Sequence, residues 1–120
     1  MKRSQILILC AAVVFGPLPA VAATISPEGA QAHAGETATV CGTVESAHFA
    51  PRSRGQPTFL DFGRPYPNEM FTALIWGSER PKFGEPERTL QGKRICITGP
   101  IRLYRGKPEV ILSNPSQIAE

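Results

Sequence analysis

The stretch TATVCGTVESA, residues 37–47, decides the fold of this chain. It is rich in Thr and Val, residue types that favour β-strands. Val40 and Val44 have the same parity, so their side chains point to one face of a strand. Gly42 lies between them, and an interior glycine predicts a bulge or a sharp bend, as in a strand that passes from one side of a small barrel to the other. The stretch therefore predicts a long first strand that bends.

Four further strands are predicted downstream, each a short run rich in apolar residues and bounded by Gly, Pro or Asn. A Gly-Pro pair at residues 99–100 interrupts the fourth strand, and residues 105–107 form a hairpin turn into the fifth. The charged connection between the third and fourth strands predicts at most one helical turn, at residues 87–91. The predicted strands are residues 37–47, 58–62, 71–76, 93–104 and 109–113.

Five strands of this kind predict an all-β fold. A sheet this small has exposed edges unless it closes, and closure into a Greek-key barrel removes them. The glycines within the first and fourth strands lie where long strands would bend around such a barrel. We therefore expect a five-stranded Greek-key barrel.

The first 22 residues have the three parts of a secretory signal peptide. Lys2 and Arg3 form a positive n-region, residues 6–15 form an uncharged apolar run, and residues 20–22 are small. We expect cleavage after Ala22, with Ala23 as the next choice. The apolar run is shorter than the roughly 20 residues that a membrane-spanning helix needs, so a retained anchor is the less favoured alternative. The chain is therefore expected in the periplasm or outside the cell.

Cleavage would leave 98 of the 120 residues, enough for one domain. We place a flexible lead-in at residues 23–35, which are rich in Ala and Gly and show no periodicity, and one domain at residues 36–118. The chain has 13 basic and 10 acidic residues, and the loss of Lys2 and Arg3 leaves a net charge of +1. Net charge alone therefore does not predict nucleic-acid binding, which needs a local basic patch.

Two cysteines, Cys41 and Cys96, lie outside the predicted signal peptide. In an oxidising compartment two such thiols are expected to form a disulfide if the fold lets them meet. A zinc site is disfavoured because Cys-x-x-Cys and His-x-x-x-His spacings are absent. We expect neither a metal nor a cofactor.

The order and spacing of the strand segments resemble the oligonucleotide/oligosaccharide-binding (OB) fold. The likeness is greatest to nucleic-acid-binding modules of the tRNA-anticodon type and their exported bacterial relatives, and it covers residues 36–118. Some of these relatives carry a micrococcal-type nuclease domain as well, but nothing in this chain matches that catalytic part. The usual helix between strands three and four looks short or absent here. The matching segments are VCGTV (40–44), TFLDFG (58–63), FTALIW (71–76), ICITGPI (95–101) and, as the closest match, YRGKPEV (104–110) leading to NPSQI (114–118).

The resemblance also bears on the cysteines, because the first and fourth strands of an OB barrel are antiparallel neighbours. Cys41 and Cys96 both have the parity opposite to the predicted core residues. Two cysteines on facing strands and on the same face can meet the spacing of a disulfide. Such a bridge would stabilise the domain by about 4 kcal/mol in the chain-entropy model.

No catalytic motif is found in the sequence. His33 and His48 have no nucleophile motif nearby, and neither a phosphate-binding loop nor a metallohydrolase motif occurs. Asp61 is the one acid in an otherwise apolar strand, and we interpret it as an acceptor for a turn or for Arg64. Glu87, in the charged connection, is expected to be solvated. We therefore expect a protein that is not an enzyme.

The resemblance implies a ligand-binding surface on strands two and three, flanked by the loops between strands one and two and between strands four and five. Basic side chains in those loops would follow phosphates, and aromatic rings would stack on bases. Phe59 and Trp76 have the alternative of lying in the core, and Arg52 and Arg54 of being only solvated loop residues. The candidate ligand-binding residues are Arg52, Arg54, Phe59, Tyr66, Trp76, Arg102, Tyr104, Arg105 and Lys107.

The expected function is therefore non-catalytic binding of single-stranded nucleic acid, DNA or RNA. Two alternatives stay open at this point. The first is a structural or protein-interaction module of the cell envelope, which predicts an exposed apolar patch and little dependence on salt. The second is a binder of anionic oligosaccharide, which the same cations would suit.

Overall fold

The computed structural model of the chain describes Gly16 and residues 24–120. The predicted signal peptide therefore lies outside the described residues, apart from Gly16. Among the residues described, no helix has the length and apolar character needed to cross a membrane. The described chain is mostly β-structure, with three short 3₁₀ helices at Pro27–His33, Arg80–Lys82 and Pro115–Gln117 and one helical turn, α1, at Pro86–Thr89. The strands are β1 (Thr24–Ile25), β2 (Thr37–Phe49), β3 (Thr58–Phe62), β4 (Phe71–Ile75), β5 (Arg94–Pro100), β6 (Arg102–Tyr104), β7 (Lys107–Ile111) and β8 (Ile118–Ala119).

These strands form one sheet in the order β6-β7-β4-β3-β2-β5-β8, with β1 paired to β2. Most neighbours are antiparallel, but β4 pairs with β7, and β1 with β2, in parallel. The hydrogen-bonded path has two ends, at β6 and β8, so backbone pairing does not close the sheet. The all-β class expected from the sequence is confirmed.

The long strand β2 joins two parts of the sheet. Its first half pairs with β5, from Thr37 to Thr43, and its second half pairs with β3, from Val44 to Phe49. The register shifts between Val44 and Ser46. The sequence predicted a bulge or bend at Gly42, so the observed irregularity lies two to four residues further along the strand. Gly42 has another role, because a Cβ there would lie 2.7 Å from Cγ of Pro27. The glycine lets the first 3₁₀ helix pack directly on the strand.

The segment at residues 23–35, predicted as a flexible lead-in, instead contains β1 and the 3₁₀ helix Pro27–His33 from Thr24 onward. Pro27 and Ala30 of this helix are buried, and Ala30 belongs to the core. Small residues leave little periodic signal in a sequence, although they pack closely wherever backbone approaches backbone, so the sequence did not indicate these two elements.

The second half of the chain follows the predicted plan with shifted bounds. The predicted fourth strand is interrupted as expected, since Ile101 belongs to neither β5 nor β6. The hairpin turn is tighter than predicted, because Tyr104 already pairs with Lys107. The predicted helical turn is present as α1, and the polar tail contains the third 3₁₀ helix and β8.

The hydrophobic core lies on one face of the sheet, where alternate residues of the strands meet. The largest fully buried apolar side chains are Phe62, Phe71, Leu60, Ile75, Ile95, Ile97, Ile101, Leu112, Val40, Val44 and Val110.

Arg80 links the end of the β2–β3 pair to the helical turn α1. At the last pair of β2 and β3, Phe49 opposite Thr58, the guanidinium of Arg80 lies 3.8 Å from the centre of the Phe49 ring and donates to Oγ1 of Thr58 at 2.8 Å. Arg80 also pairs with Glu87 at 2.6 Å, and this hydrogen bond lowers the pKa of Glu87. Glu87 is thus held in an ion pair, whereas the sequence predicted a solvated carboxylate.

A disulfide joins the two cysteines, as expected. Cys41 and Cys96 lie directly opposite each other on β2 and β5, with their Cα atoms 4.0 Å apart. Their neighbours Val40 and Ile97 point into the core, so the disulfide lies on the other face of the sheet. The bridge closes a loop with a sequence separation of 55 residues that contains β3 and β4.

The disulfide should contribute much of the stability of this domain. Replacing both cysteines, Cys41→Ala with Cys96→Ala, should lower the free energy of unfolding by about 2–4 kcal/mol because the unfolded chain regains the freedom of the open loop. Guanidinium denaturation of the oxidised protein would measure this. A reducing agent should produce a similar loss in the wild type and no further loss in the double variant. Equal midpoints for oxidised and reduced wild type would contradict the prediction.

Candidate nucleic-acid interface

The outer face of the sheet carries two rows of side chains that cross several strands. The first, here called the polar row, is Ser46 of β2, Asp61 of β3, Thr72 of β4, Glu109 of β7 and Arg102 of β6. The rows arise because β3 alternates: Leu60 and Phe62 face the core, so Phe59 and Asp61 face outward. The second row is His48, Phe59, Leu74 and Ile111, which is apolar except for His48.

The polar row is joined by hydrogen bonds across the strands. Ser46 donates to Oδ2 of Asp61 at 3.0 Å, and Thr72 donates to Oδ1 at 3.2 Å. The backbone N–H of Tyr66 donates in turn to the hydroxyl of Ser46 at 3.0 Å. The acceptor role predicted for Asp61 is therefore present, but its donors are two hydroxyls on neighbouring strands and not a turn or Arg64.

Asp61 is a buried carboxylate, only 1% exposed. Loss of hydration raises its pKa above the ordinary value, the hydrogen bond from Ser46 opposes this, and the nearby Glu69 carboxylate raises the pKa further. His48 Nδ1 lies 3.7 Å from Oδ2 of Asp61, with its side chain partly exposed. Among the described residues, hydroxyl dipoles and a neighbouring imidazole face the Asp61 carboxylate, and no lysine or arginine pairs with it.

Aromatic rings lie close to the polar row. The imidazole of His48 stacks on Phe59, with ring centres 4.7 Å apart, and meets the edge of Tyr66 at 5.3 Å. Tyr66 and Tyr104 are the most exposed of the predicted aromatic residues, at 63% and 53%. Phe59 and Trp76 are half-buried, and neither belongs to the core of the described residues. All four of these predicted aromatic side chains are therefore at least partly accessible.

These side chains line two main depressions. The first, here called the polar cleft, has a volume of about 470 Å³, and its lining includes Asp61, Tyr66, Glu69, Thr72, Arg105, Lys107 and Glu109. The second, the aromatic groove, has a volume of about 220 Å³ and is lined by Arg54, Phe59, Leu74, Trp76, Arg102 and Tyr104. A third and more open depression, with a volume of about 800 Å³, is lined by residues that include Arg54, Trp76 and Tyr104. Tyr104 belongs to all three, so the depressions adjoin one another on the same face.

Trp76 is fixed by the turn between β2 and β3. A Cβ on Gly55 would lie 2.8 Å from two atoms of the indole ring, so the ring packs directly on that turn. The N–H of Gly77 donates to the carbonyl of Gly55 at 2.9 Å and ties the two segments together. Trp76 therefore packs on the turn that carries Arg54, and its ring also lines the groove.

The predicted cations fall into two groups. Arg102 donates to Glu109 through Nε at 2.8 Å, and Lys107 donates to Glu69 at 3.1 Å and to the carbonyl of Pro67 at 2.8 Å. Arg52, Arg54 and Arg105 are exposed and make no ion pair with the described residues. A phosphate on this face would therefore meet the arginines of the two turns, while the carboxylates already occupy Arg102 and Lys107.

The structure brings together eight of the nine predicted site residues along the adjoining depressions. Arg52 is the exception, because it lies in the same turn as Arg54 but lines none of them. Sequence reasoning missed Ser46, Glu69, Thr72 and Glu109 and assigned no role to His48. For Glu109 the alternation with the buried Val110 was an available signal, whereas Glu69 lies in an irregular loop and gave none.

No known protein family matches the chain, and a search of curated proteins finds no match to it. Within residues 24–120 and at Gly16, no three His, Cys, Asp or Glu side chains are grouped so that they could hold a metal ion. The outer face therefore combines three kinds of side chain: buried carboxylates, partly exposed aromatic rings and exposed guanidinium groups.

The raised pKa of Asp61 predicts a pH-dependent stability. Between the ordinary value of 3.8 and the raised value, the folded protein holds the Asp61 proton more tightly than the unfolded chain does, so the free energy of unfolding falls as pH rises through this window. The Asp61→Asn variant lacks the buried charge and should be more stable than the wild type at about pH 7, by about 1 kcal/mol. Thermal unfolding should show this gain disappearing near about pH 3, where Asp61 is protonated.

Glu45→Gln is the matched control, since it removes one carboxylate from an exposed position on the same strand pair. Its melting temperature should follow that of the wild type across the pH range. A melting temperature of Asp61→Asn below that of the wild type at neutral pH would show that the carboxylate stabilises the fold.

Gly55 should be required for the position of Trp76. Its φ is +77°, and the Gly55→Ala variant would place a Cβ against the indole ring. We expect a loss of about 1–3 kcal/mol from backbone strain, together with a shift in the fluorescence of Trp76, the single tryptophan of the chain. Gly106→Ala is the control, because φ there is +79° but nothing lies within 4 Å of the added Cβ. An equal fluorescence shift in both variants would contradict the proposed contact.

Proposed function

We propose that this protein is an exported, non-catalytic OB-type module that binds single-stranded nucleic acid across the outer face of β3, β4 and β7. The observation that carries the proposal is the adjoining pair of depressions, the polar cleft and the aromatic groove, which share Tyr104. Side chains from distant parts of the sequence meet there with the composition that a flexible chain of bases and phosphates needs.

Stacking is the first element of the proposal. Tyr66, Phe59, Trp76 and Tyr104 offer rings along adjoining depressions, and base stacking on such rings contributes about 1–3 kcal/mol per base. Because every base has an aromatic face, this term suits single strands of mixed sequence. In a duplex the same base faces are already stacked, so the proposal favours single strands.

Phosphate contact is the second element, and it falls to Arg54 and Arg105. These residues lie in the turns before β3 and before β7, so that their side chains flank the depressions. The guanidinium of Arg105 lies 5.3 Å from the centre of the Tyr104 ring, which joins a cation to a stacking surface. With two such contacts the electrostatic part of the affinity is modest and falls as salt concentration rises.

Strand order supports an OB-type barrel as the framework of this surface. Ile101 alone separates β5, which pairs with β2, from β6, which pairs with β7. Taken as one bent strand, β5 and β6 would link the two ends of the order β7-β4-β3-β2. The parallel pairing of β4 with β7 and the antiparallel pairing of the other barrel strands agree with this arrangement. The disulfide is compatible with the proposed export, since disulfides persist in oxidising compartments.

Fluorescence anisotropy with a labelled single-stranded oligonucleotide, titrated at several salt concentrations, tests the proposal. The wild type should show saturable binding that weakens with salt. The Arg54→Ala, Arg105→Ala double variant should bind more weakly, and the slope of log K against log salt should become shallower by about 1.4, or about 0.7 for each lost contact with a single strand.

The control is Arg88→Ala combined with Arg94→Ala, which removes the same charge from exposed positions that line none of the depressions. Its affinity and salt slope should stay close to those of the wild type. If the wild type fails to bind at low salt, the nucleic-acid proposal is wrong. Salt-independent binding to an envelope protein would then support the interaction-module alternative.

A further inference from the structure

Glu69 in the polar cleft has an unfilled acceptor. Its side chain is 10% exposed, and its Oε1 accepts a hydrogen bond from Lys107 at 3.1 Å. Its Oε2 is buried and has no hydrogen-bond partner among the described residues. It is the one buried side-chain oxygen or nitrogen of this part of the chain in that condition. Leaving a buried acceptor unpaired costs free energy, so a ligand that donates to it would gain affinity.

The floor beside Glu69 is also made of acceptors. Asp61 accepts two hydroxyl hydrogens, which leaves free lone pairs on its carboxylate. Both contacts from Arg102 go to Oε1 of Glu109, so Oε2 of that residue accepts nothing from the described side chains. A ligand group that reaches these carboxylate oxygens must therefore present donors. A group with acceptors at its edge would face carboxylate oxygens and be repelled.

The walls of the cleft suit a flat ring. His48 and Phe59 form a stacked pair at 4.7 Å, and Tyr66 stands at its edge. A cleft of about 470 Å³ is within the range of sites that hold small ligands. A base could thus stack on these rings while its edge points to the carboxylates.

We propose that the polar cleft is a subsite for guanine within the bound strand, where the Glu69 side chain turns so that Oε2, shielded from solvent in the unliganded protein, accepts from the edge of the base. This inference rests on the proposed function. Guanine presents two adjacent donors, N1–H and the exocyclic N2 amino group, with no acceptor between them. Thymine and uracil present one donor flanked by carbonyl oxygens, while adenine and cytosine place an acceptor nitrogen beside their amino group. Only guanine offers a carboxylate two neighbouring donors.

The test uses nonamers of thymidine with one substituted central position and the purified oxidised protein, so that no guanine-rich structure can form. A central guanosine should bind about tenfold more tightly than the all-thymidine nonamer, within the range that a paired donor–acceptor contact provides. Inosine lacks the N2 amino group and should lose most of this advantage. A 7-deazaguanosine, unchanged at N1 and N2, should keep it.

The matching protein variant is Glu69→Gln, which keeps the size of the side chain and removes its charge. It should reduce the preference for guanosine to below about twofold. Because the variant also weakens the hold on Lys107, the affinity for the all-thymidine nonamer should stay equal or rise, so the readout is the ratio of the two affinities. Glu85→Gln is the control, because that carboxylate is exposed and does not line the cleft. The inosine comparison leaves the protein unaltered, so it tests the subsite even if Glu69→Gln is unstable.

The outcomes separate the two proposals. If the all-thymidine nonamer binds and guanosine gives no advantage, the guanine subsite is wrong and the nucleic-acid proposal stands. A guanosine advantage that persists in Glu69→Gln overturns the role of Glu69. If none of the nonamers binds at low salt, both proposals fail.

Discussion

The whole sheet depends on the bend of β2. The strand pairs with β5 over its first half and with β3 over its second half, so one continuous backbone holds both parts of the sheet in register. The disulfide fixes the first half, because Cys41 and Cys96 lie opposite each other on β2 and β5. A slip of one residue in either half would move core side chains to the outer face. The positions of Phe59 and Asp61 on that face follow directly from this register.

The outer face combines features that usually oppose each other. The proposed contact with phosphates calls for a basic surface, yet the polar cleft holds the carboxylates of Asp61, Glu69 and Glu109. The structure resolves this by layering, since Lys107 and Arg102 neutralise two of the acids within the face. The exposed arginines of the two turns remain at the rim. Under the proposed function, the floor would contact the base edge and the rim would contact the backbone of one ligand.

Local patterns predicted the strands well because alternation and β-propensity act over a few residues. Val40, Leu60 and Ile97 were placed in strands from such patterns, and all three are buried. The irregular parts were predicted less well. Gly42 was assigned a bend, but its small size serves the packing of Pro27, a contact that depends on a segment without periodicity. Glu87 was expected to be solvated because its local sequence does not show that Arg80 pairs with it. Arg80 is held in place by stacking on Phe49 of β2, a contact that only the folded chain makes.

The sequence by itself determined the all-β class, the approximate strand positions and the pairing of the two cysteines, since each follows from local composition, parity or count. Only the tertiary structure decided the electrostatics of the candidate site. Whether Lys107 is free depends on Glu69, 38 residues away, and whether Asp61 is hydrated depends on hydroxyls from two other strands. Burial and charge pairing are properties of neighbours in space, and residues this far apart in sequence become neighbours only when the sheet has formed.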